Sequence, residues 1–133
     1  MKTKLLLILA IVFLSISQAH AQVPINDECA NAQEIILTTT DATLVATETT
    51  MATQSLIASC ENTSQTWLDT WYYFTMPVNG NVSITSADFY DVFTLYANCA
   101  DSMLATPVEI NCSNDDTFYY NLIGNTTPAL CKS

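Results

Sequence analysis

The sequence predicts an all-β protein, an antiparallel β-sandwich, on three observations. Runs of five to seven residues alternate apolar with polar side chains or read as aromatic and β-branched, with no sustained helical period. Threonine is abundant in and around those runs, which suits strands wetted on one side. Asn, Asp, Pro and Gly punctuate the gaps between them.

The chain opens with Lys2 and Lys4, then an apolar run from Leu5 to Ile16, then Ala19-His20-Ala21, a small-x-small cleavage site. Residues 1–21 therefore read as a secretory signal peptide cut after Ala21. A membrane anchor is the competing reading, but a run of 12 residues falls short of the roughly 20 that span a bilayer. No second apolar run of spanning length follows, and no linker, repeat or low-complexity tract interrupts residues 22–133. That length suits a single module with one modest core.

The strand-like runs then come in order. Gln33 to Thr39 (QEIILTT) and Ala42 to Glu48 (ATLVATE) are the first two, and Met51 to Ser59 reads as a short helical turn or a loop. In DTWYYFT, Trp71 and Tyr73 fall on one face and Tyr72 and Phe74 on the other, while in NVSIT Val82 and Ile84 alternate with polar neighbours. Between these two runs stands MPVNG, whose Asn79-Gly80 suits the positive φ angles of a tight turn, so the pair is expected to form a hairpin. Asp91 to Ala97, Pro107 to Asn111 and Thr117 to Ile123 complete seven short strands. Trp71, Phe74, Phe93 and Tyr96 are the expected core aromatics.

Composition excludes several functions. Without the leader the chain has thirteen acidic residues, Lys132 and no arginine, a formal charge of 1 − 13 = −12. Such a surface repels phosphate backbones, which argues against nucleic acid as a partner. The one histidine, His20, lies in the leader, so no Ser/His/Asp triad, Cys/His pair or imidazole zinc site can form in residues 22–133. Gly80 and Gly124 are the only glycines, too few for a phosphate cradle, and cationic clamps are lacking. A carboxylate pair of the glycosidase kind is the one catalytic device left. Thirteen acids on an exported domain read first as solvated surface, so no enzyme is expected.

All five cysteines, Cys29, Cys60, Cys99, Cys112 and Cys131, lie in the exported portion, where thiols oxidise. Five allows two intrachain bridges and one thiol over. Spacing does not fix connectivity, although Cys99 and Cys112 flank a short segment and are natural partners. That leaves Cys29 with Cys60 and Cys131 free, each bridge stabilising by roughly 3 kcal/mol through loop closure.

Four motifs, NDECANAQEI (Asn26 to Ile35), DTWYYFTMPVNGNVSI (Asp69 to Ile84), DVFTLYANC (Asp91 to Cys99) and NCSNDD (Asn111 to Asp116), come in the order and spacing of a known module. Together they resemble the secreted β-sandwich modules of Bacteroidetes-type bacteria, which are similar to the bacterial pre-peptidase C-terminal domain, a jelly-roll-like sandwich. The resemblance covers Asn26 to about Ile123. Thr70 stands where that pattern has valine, and a serine and an asparagine are inserted after Cys112. The resemblance implies calcium held by Asn26, Asp27 and Asp69, oxygen ligands of the kind calcium takes. Asp115 and Asp116 match its Asn-Asp-Asp and read first as a turn. Where the pattern continues into a further aromatic strand, this chain has PALCKS, so the sandwich is expected to lack its last strand. A truncated or frame-shifted reading of a longer protein would explain that ending; a short natural end pairing through Cys131 is the alternative.

Trp67, in the polar approach ENTSQTWLDT, and Tyr90 are candidates to stack on sugar rings, against a plainer role covering a sheet edge. Asn62, Asn81, Asn111 and Asn125 begin N-x-S/T sequons, read as chance in a chain rich in Asn and Thr, and Asp101-Ser102-Met103 resembles a Bacteroidetes O-glycosylation site. The expected function is a non-catalytic accessory or adhesion module, secreted or at the cell surface, that binds extracellular glycan or protein. The alternative is a structural spacer or pro-domain-like unit of a larger secreted enzyme or surface protein with further domains; a small carboxylate-pair glycoside hydrolase is a distant third.

Overall fold

The computed structural model describes residues 22–37, 51–85, 91–114 and 117–133. The leader, the run Ala42 to Glu48, Tyr90 and the Asp115-Asp116 turn lie outside the described residues. Among the described residues seven strands form: β1 (Gln33–Glu34), β2 (Thr70–Tyr73), β3 (Gly80–Thr85), β4 (Phe93–Tyr96), β5 (Glu109–Ser113), β6 (Thr117–Leu122) and β7 (Ala129–Lys132). A 3₁₀ turn spans Cys29–Asn31 and one short helix, α1, spans Cys99–Ser102. Five strands make one sheet in the order β1-β2-β7-β4-β5, and β3 and β6 make a second. All pairings are antiparallel except β1 with β2.

Burial explains the residue patterns. Between the sheets lie Tyr72 and Phe74, Phe93 and Leu95, and Leu130 from the larger sheet, with Met76 and Leu122, flanked by the partly buried Val82, Ile84 and Tyr120. On the outer face of the larger sheet, Trp71, Tyr96, Ala129 and Cys131 pack under loops with Cys29, Ala32 and Leu56. The strands β2, β4 and β7 are thus covered on both sides and carry almost no exposed residue. In β3, by contrast, exposed Asn81, Ser83 and Thr85 alternate with Val82 and Ile84, the pattern of a strand wetted on one face. The four expected core aromatics are all buried.

Three expectations are corrected. The runs on either side of MPVNG are strands, but they do not pair with each other: β2 lies between β1 and β7, while β3 pairs with β6 in the other sheet. The segment between them crosses from one sheet to the other and bonds to the β6–β7 connection instead of folding back. Met76 N–H donates to Thr126 O (3.0 Å), Asn125 N–H to Met76 O (2.7 Å) and Gly124 N–H to Asn79 Oδ1 (2.7 Å). Gly80 has no positive φ; among the described residues that conformation occurs at Asn125, φ 61°. Gly124 is required by contact, since a Cβ there would fall 2.8 Å from Val78 backbone atoms.

The tail read as leaving the sheet without its last strand supplies one. Ala129–Lys132 forms β7 between β2 and β4, with Trp71 opposite Cys131 and Tyr96 opposite Ala129. Beside two large rings on that face stand small side chains, while Leu130 fills the core on the other. Val92 and Ser133 extend the ladder with reciprocal 2.9 Å bonds.

The disulfide pairing differs as well. Cys29 joins Cys99 and Cys60 joins Cys112, each with a Cα–Cα separation of 5.7 Å, and Cys131 is the buried free thiol. The β4–β5 register sets Cys112 opposite Thr94, facing the loop of Cys60, whereas Cys99 opens α1 beside the 3₁₀ turn of Cys29. Closeness in sequence misled. Gln33 to Thr39 is strand only at its first two residues within the described part, and Met51 to Ser59 is loop.

Candidate functional site

The segment 52–61 lies over the outer face of the larger sheet, and three carboxylates hold it by the same device. Each accepts both the backbone N–H and the hydroxyl of one loop residue. Asp27 takes Thr53, with Thr53 Oγ1 2.9 Å from Asp27 Oδ2. Asp69 takes Ser55, whose N–H and hydroxyl lie 2.9 Å away, and also receives a longer bond of 3.4 Å from Leu56 N–H. Glu109, on the edge strand β5, takes Ser59, with the N–H at 2.8 Å. The Cys60–Cys112 bridge fastens the end of the loop, and Gln54 Nε2 reaches Glu61 Oε2 at 3.5 Å across its mouth.

Trp71 ties the sheet to this loop by donating its indole N–H to Ser55 Oγ at 3.0 Å, and its ring stands 5.7 Å from that of Tyr96. Asn26 runs alongside: its carbonyl accepts Trp71 N–H at 2.8 Å and its Nδ2 donates to Trp71 O at 3.0 Å. Burial raises the pKa of Asp69 to about 6, opposed by the bonds from Ser55 and Leu56 and reinforced by nearby Glu61. Burial likewise pushes the Cys131 thiol well up, as it does the Tyr96 hydroxyl, with negative groups nearby adding to both. Cys131 is therefore a poor nucleophile. Among the described residues Glu61 Oε1, Thr70 Oγ1 and Tyr96 OH are buried without a hydrogen-bond partner.

Of Asn26, Asp27 and Asp69 on this face, Asn26 donates its side-chain amide to Trp71 O, and the two carboxylates accept N–H and O–H groups of the loop. Among the described residues no group of three or more His, Cys, Asp and Glu side chains is gathered closely enough to hold a metal ion.

The next turn of chain presents Trp67. Asn62 organises it: the side-chain Oδ1 accepts Ser64 N–H (3.0 Å) and Ser64 Oγ (2.7 Å), and the carbonyl accepts Gln65 N–H (3.1 Å) and Trp67 Nε1 (3.0 Å). Trp67 is partly exposed, and residues 62–66 beside it are all exposed. Its ring is thus held by its polar edge while part of its surface faces water.

A comparison with protein families matches residues 25–131 to the T9SS-associated, galactose-binding-domain-like family. The chain belongs to that family. Comparisons with curated proteins and with solved structures gave no match. A galactose-binding-like domain is a β-sandwich, in agreement with the two sheets, and association with Bacteroidetes-type secretion together with two disulfides marks an accessory module of a secreted or surface protein. The likeness to the pre-peptidase C-terminal domain gains nothing from the match. No helix among the described residues is long and apolar enough to cross a membrane.

Other features of this galactose-binding-like domain are less suited to a ligand. A cavity of about 250 Å³ opens between β5 and β6, lined chiefly by Ile110, Tyr120, Leu122, Ile123 and Pro128, and it offers little polar chemistry to orient a ligand. Ser102 is buried in α1 and donates to Cys99 O at 2.7 Å, so the O-glycosylation motif is closed to modification in the folded domain. Sequence reasoning missed Glu109 and the three hydroxyl residues of the loop. Its one available signal was T-x-S-x-x-x-S in a segment without periodicity.

Proposed function

We propose that the chain is a non-catalytic accessory and adhesion module that binds glycan or protein outside the cell, with Trp67 as the residue that stacks on a sugar ring. The observation that supports this is the anchoring of the Trp67 indole N–H on Asn62 O at 3.0 Å while its ring stays partly exposed among uncharged polar side chains. A ring fixed before contact loses little freedom on binding, and its face supplies apolar area. Affinity electrophoresis against a panel of polysaccharides tests it: Trp67→Ala should cut retardation about tenfold, roughly 1.4 kcal/mol, with the melting temperature unchanged. Equal retardation of both proteins would remove Trp67 from the site.

A spacer role is the second reading, favoured by the inward turn of Asp27, Asp69 and Glu109, which gives three acids to loop closure. We also carry calcium at Asn26, Asp27 and Asp69 as a proposal. An ionised carboxylate has about four acceptor sites, so the bonds to Thr53 and Ser55 leave lone pairs for a cation.

A further inference from the structure

The loop that presents Trp67 has no cation to offer, and that selects the class of glycan it can take. The inference rests on the glycan reading above. Within residues 22–133 Lys132 is the one basic side chain, against thirteen acids. Its Nζ lies 3.2 Å from Asp91 Oδ2, with both side chains mostly buried, so it is paired with an acid at the sheet. The run from Asn62 to Leu68 has no charged residue and is bounded by Glu61 and Asp69, both buried.

A carboxylate, sulfate or phosphate on a sugar stacked at Trp67 would lose water without gaining a guanidinium or ammonium partner. It would also approach through a field of one sign. The hydroxyls of an uncharged sugar meet a different surface: exposed Thr63, Ser64, Gln65 and Thr66 offer hydroxyl and amide groups that both donate and accept. We propose that the Trp67 loop binds uncharged glycans and rejects anionic ones, and that rejection comes from missing positive charge, not from shape.

The test uses the whole chain in affinity electrophoresis with matched polymers: hydroxyethylcellulose against carboxymethylcellulose, galactan against polygalacturonate, and agarose against carrageenan. The neutral member of at least one pair should retard the protein, and its anionic counterpart should bind at least about tenfold more weakly at 0.01 M salt, where charges act over about 30 Å. At 1 M salt, with screening down to about 3 Å, the gap should narrow, while neutral binding changes less than about twofold. Gln65→Lys, which places a cation beside the ring at an exposed position, should gain binding to the anionic counterpart. Anionic polymers bound as well as neutral ones at low salt would overturn the proposal and leave the glycan reading standing. Retardation by no polymer of either kind would end the glycan reading and this inference with it.

Discussion

Asp69 should make the domain more stable in mild acid than at neutral pH, and the effect can be isolated with one substitution. Its carboxyl titrates near 6 in the folded domain against 3.8 for the ordinary group. The native state therefore holds this proton more tightly than the unfolded chain does. The associated stability is fully present below about pH 4 and is lost as pH rises through 6. At 1.36 kcal/mol per pH unit the difference is about 3 kcal/mol. For a domain of this size, that corresponds to roughly 10 °C in melting temperature.

Asp69→Asn keeps the shape and removes the titration. Because the amide presents an N–H₂ to donors it cannot satisfy, the variant's absolute stability carries no information; its pH slope does. Thermal unfolding followed by circular dichroism from pH 4.5 to 7.5, which spans about 2 of those 3 kcal/mol, should show the wild type losing about 7 °C relative to Asp69→Asn across that range. Parallel curves would show that Asp69 titrates as an ordinary carboxylate, and the argument from burial would fail.

Non-reducing peptide mapping should recover Cys29 with Cys99 and Cys60 with Cys112, and Cys131 should react with maleimide only after unfolding; a Cys99–Cys112 peptide would refute the β4–β5 register. Gly124→Ala should lower the unfolding free energy in a denaturant titration by about 1–3 kcal/mol, since its Cβ would stand 2.8 Å from the Val78 backbone; an unchanged value would contradict that contact. Millimolar calcium should raise the melting temperature if it joins Asn26, Asp27 and Asp69, and Asp69→Asn should abolish the rise. No shift in the wild type leaves Asp27 and Asp69 to hold the loop and Asn26 to brace the Trp71 backbone.

Strand identity was legible from alternation in Gly80–Thr85 and from a run of large aromatics in Thr70–Tyr73, because a strand's own side chains record which faces are covered. Strand partners were not, because β2 takes its neighbours from opposite ends of the described chain, Gln33–Glu34 and Ala129–Lys132, and no local turn signal reports that. Residues 129–132 escaped notice for a related reason: Ala129 and Cys131 are small because Trp71 and Tyr96 are large, a constraint written elsewhere in the sequence. At the site, the bonds of Asp27 and Asp69 were not readable, since Thr53 and Ser55 sit in a loop that carries no pattern.

The place of β7 also makes the larger sheet depend on one short strand. Among the described strands β7 alone lies between β2 and β4, so without it β1 and β2 would form one fragment and β4 and β5 another, each with a bare edge. The pairs that join them lie 56 to 62 residues apart in β2–β7 and 33 to 39 apart in β4–β7, so closing the sheet is a non-local and therefore slow step. Ala129–Lys132 is thus the keystone of the larger sheet, and its loss would split that sheet in two.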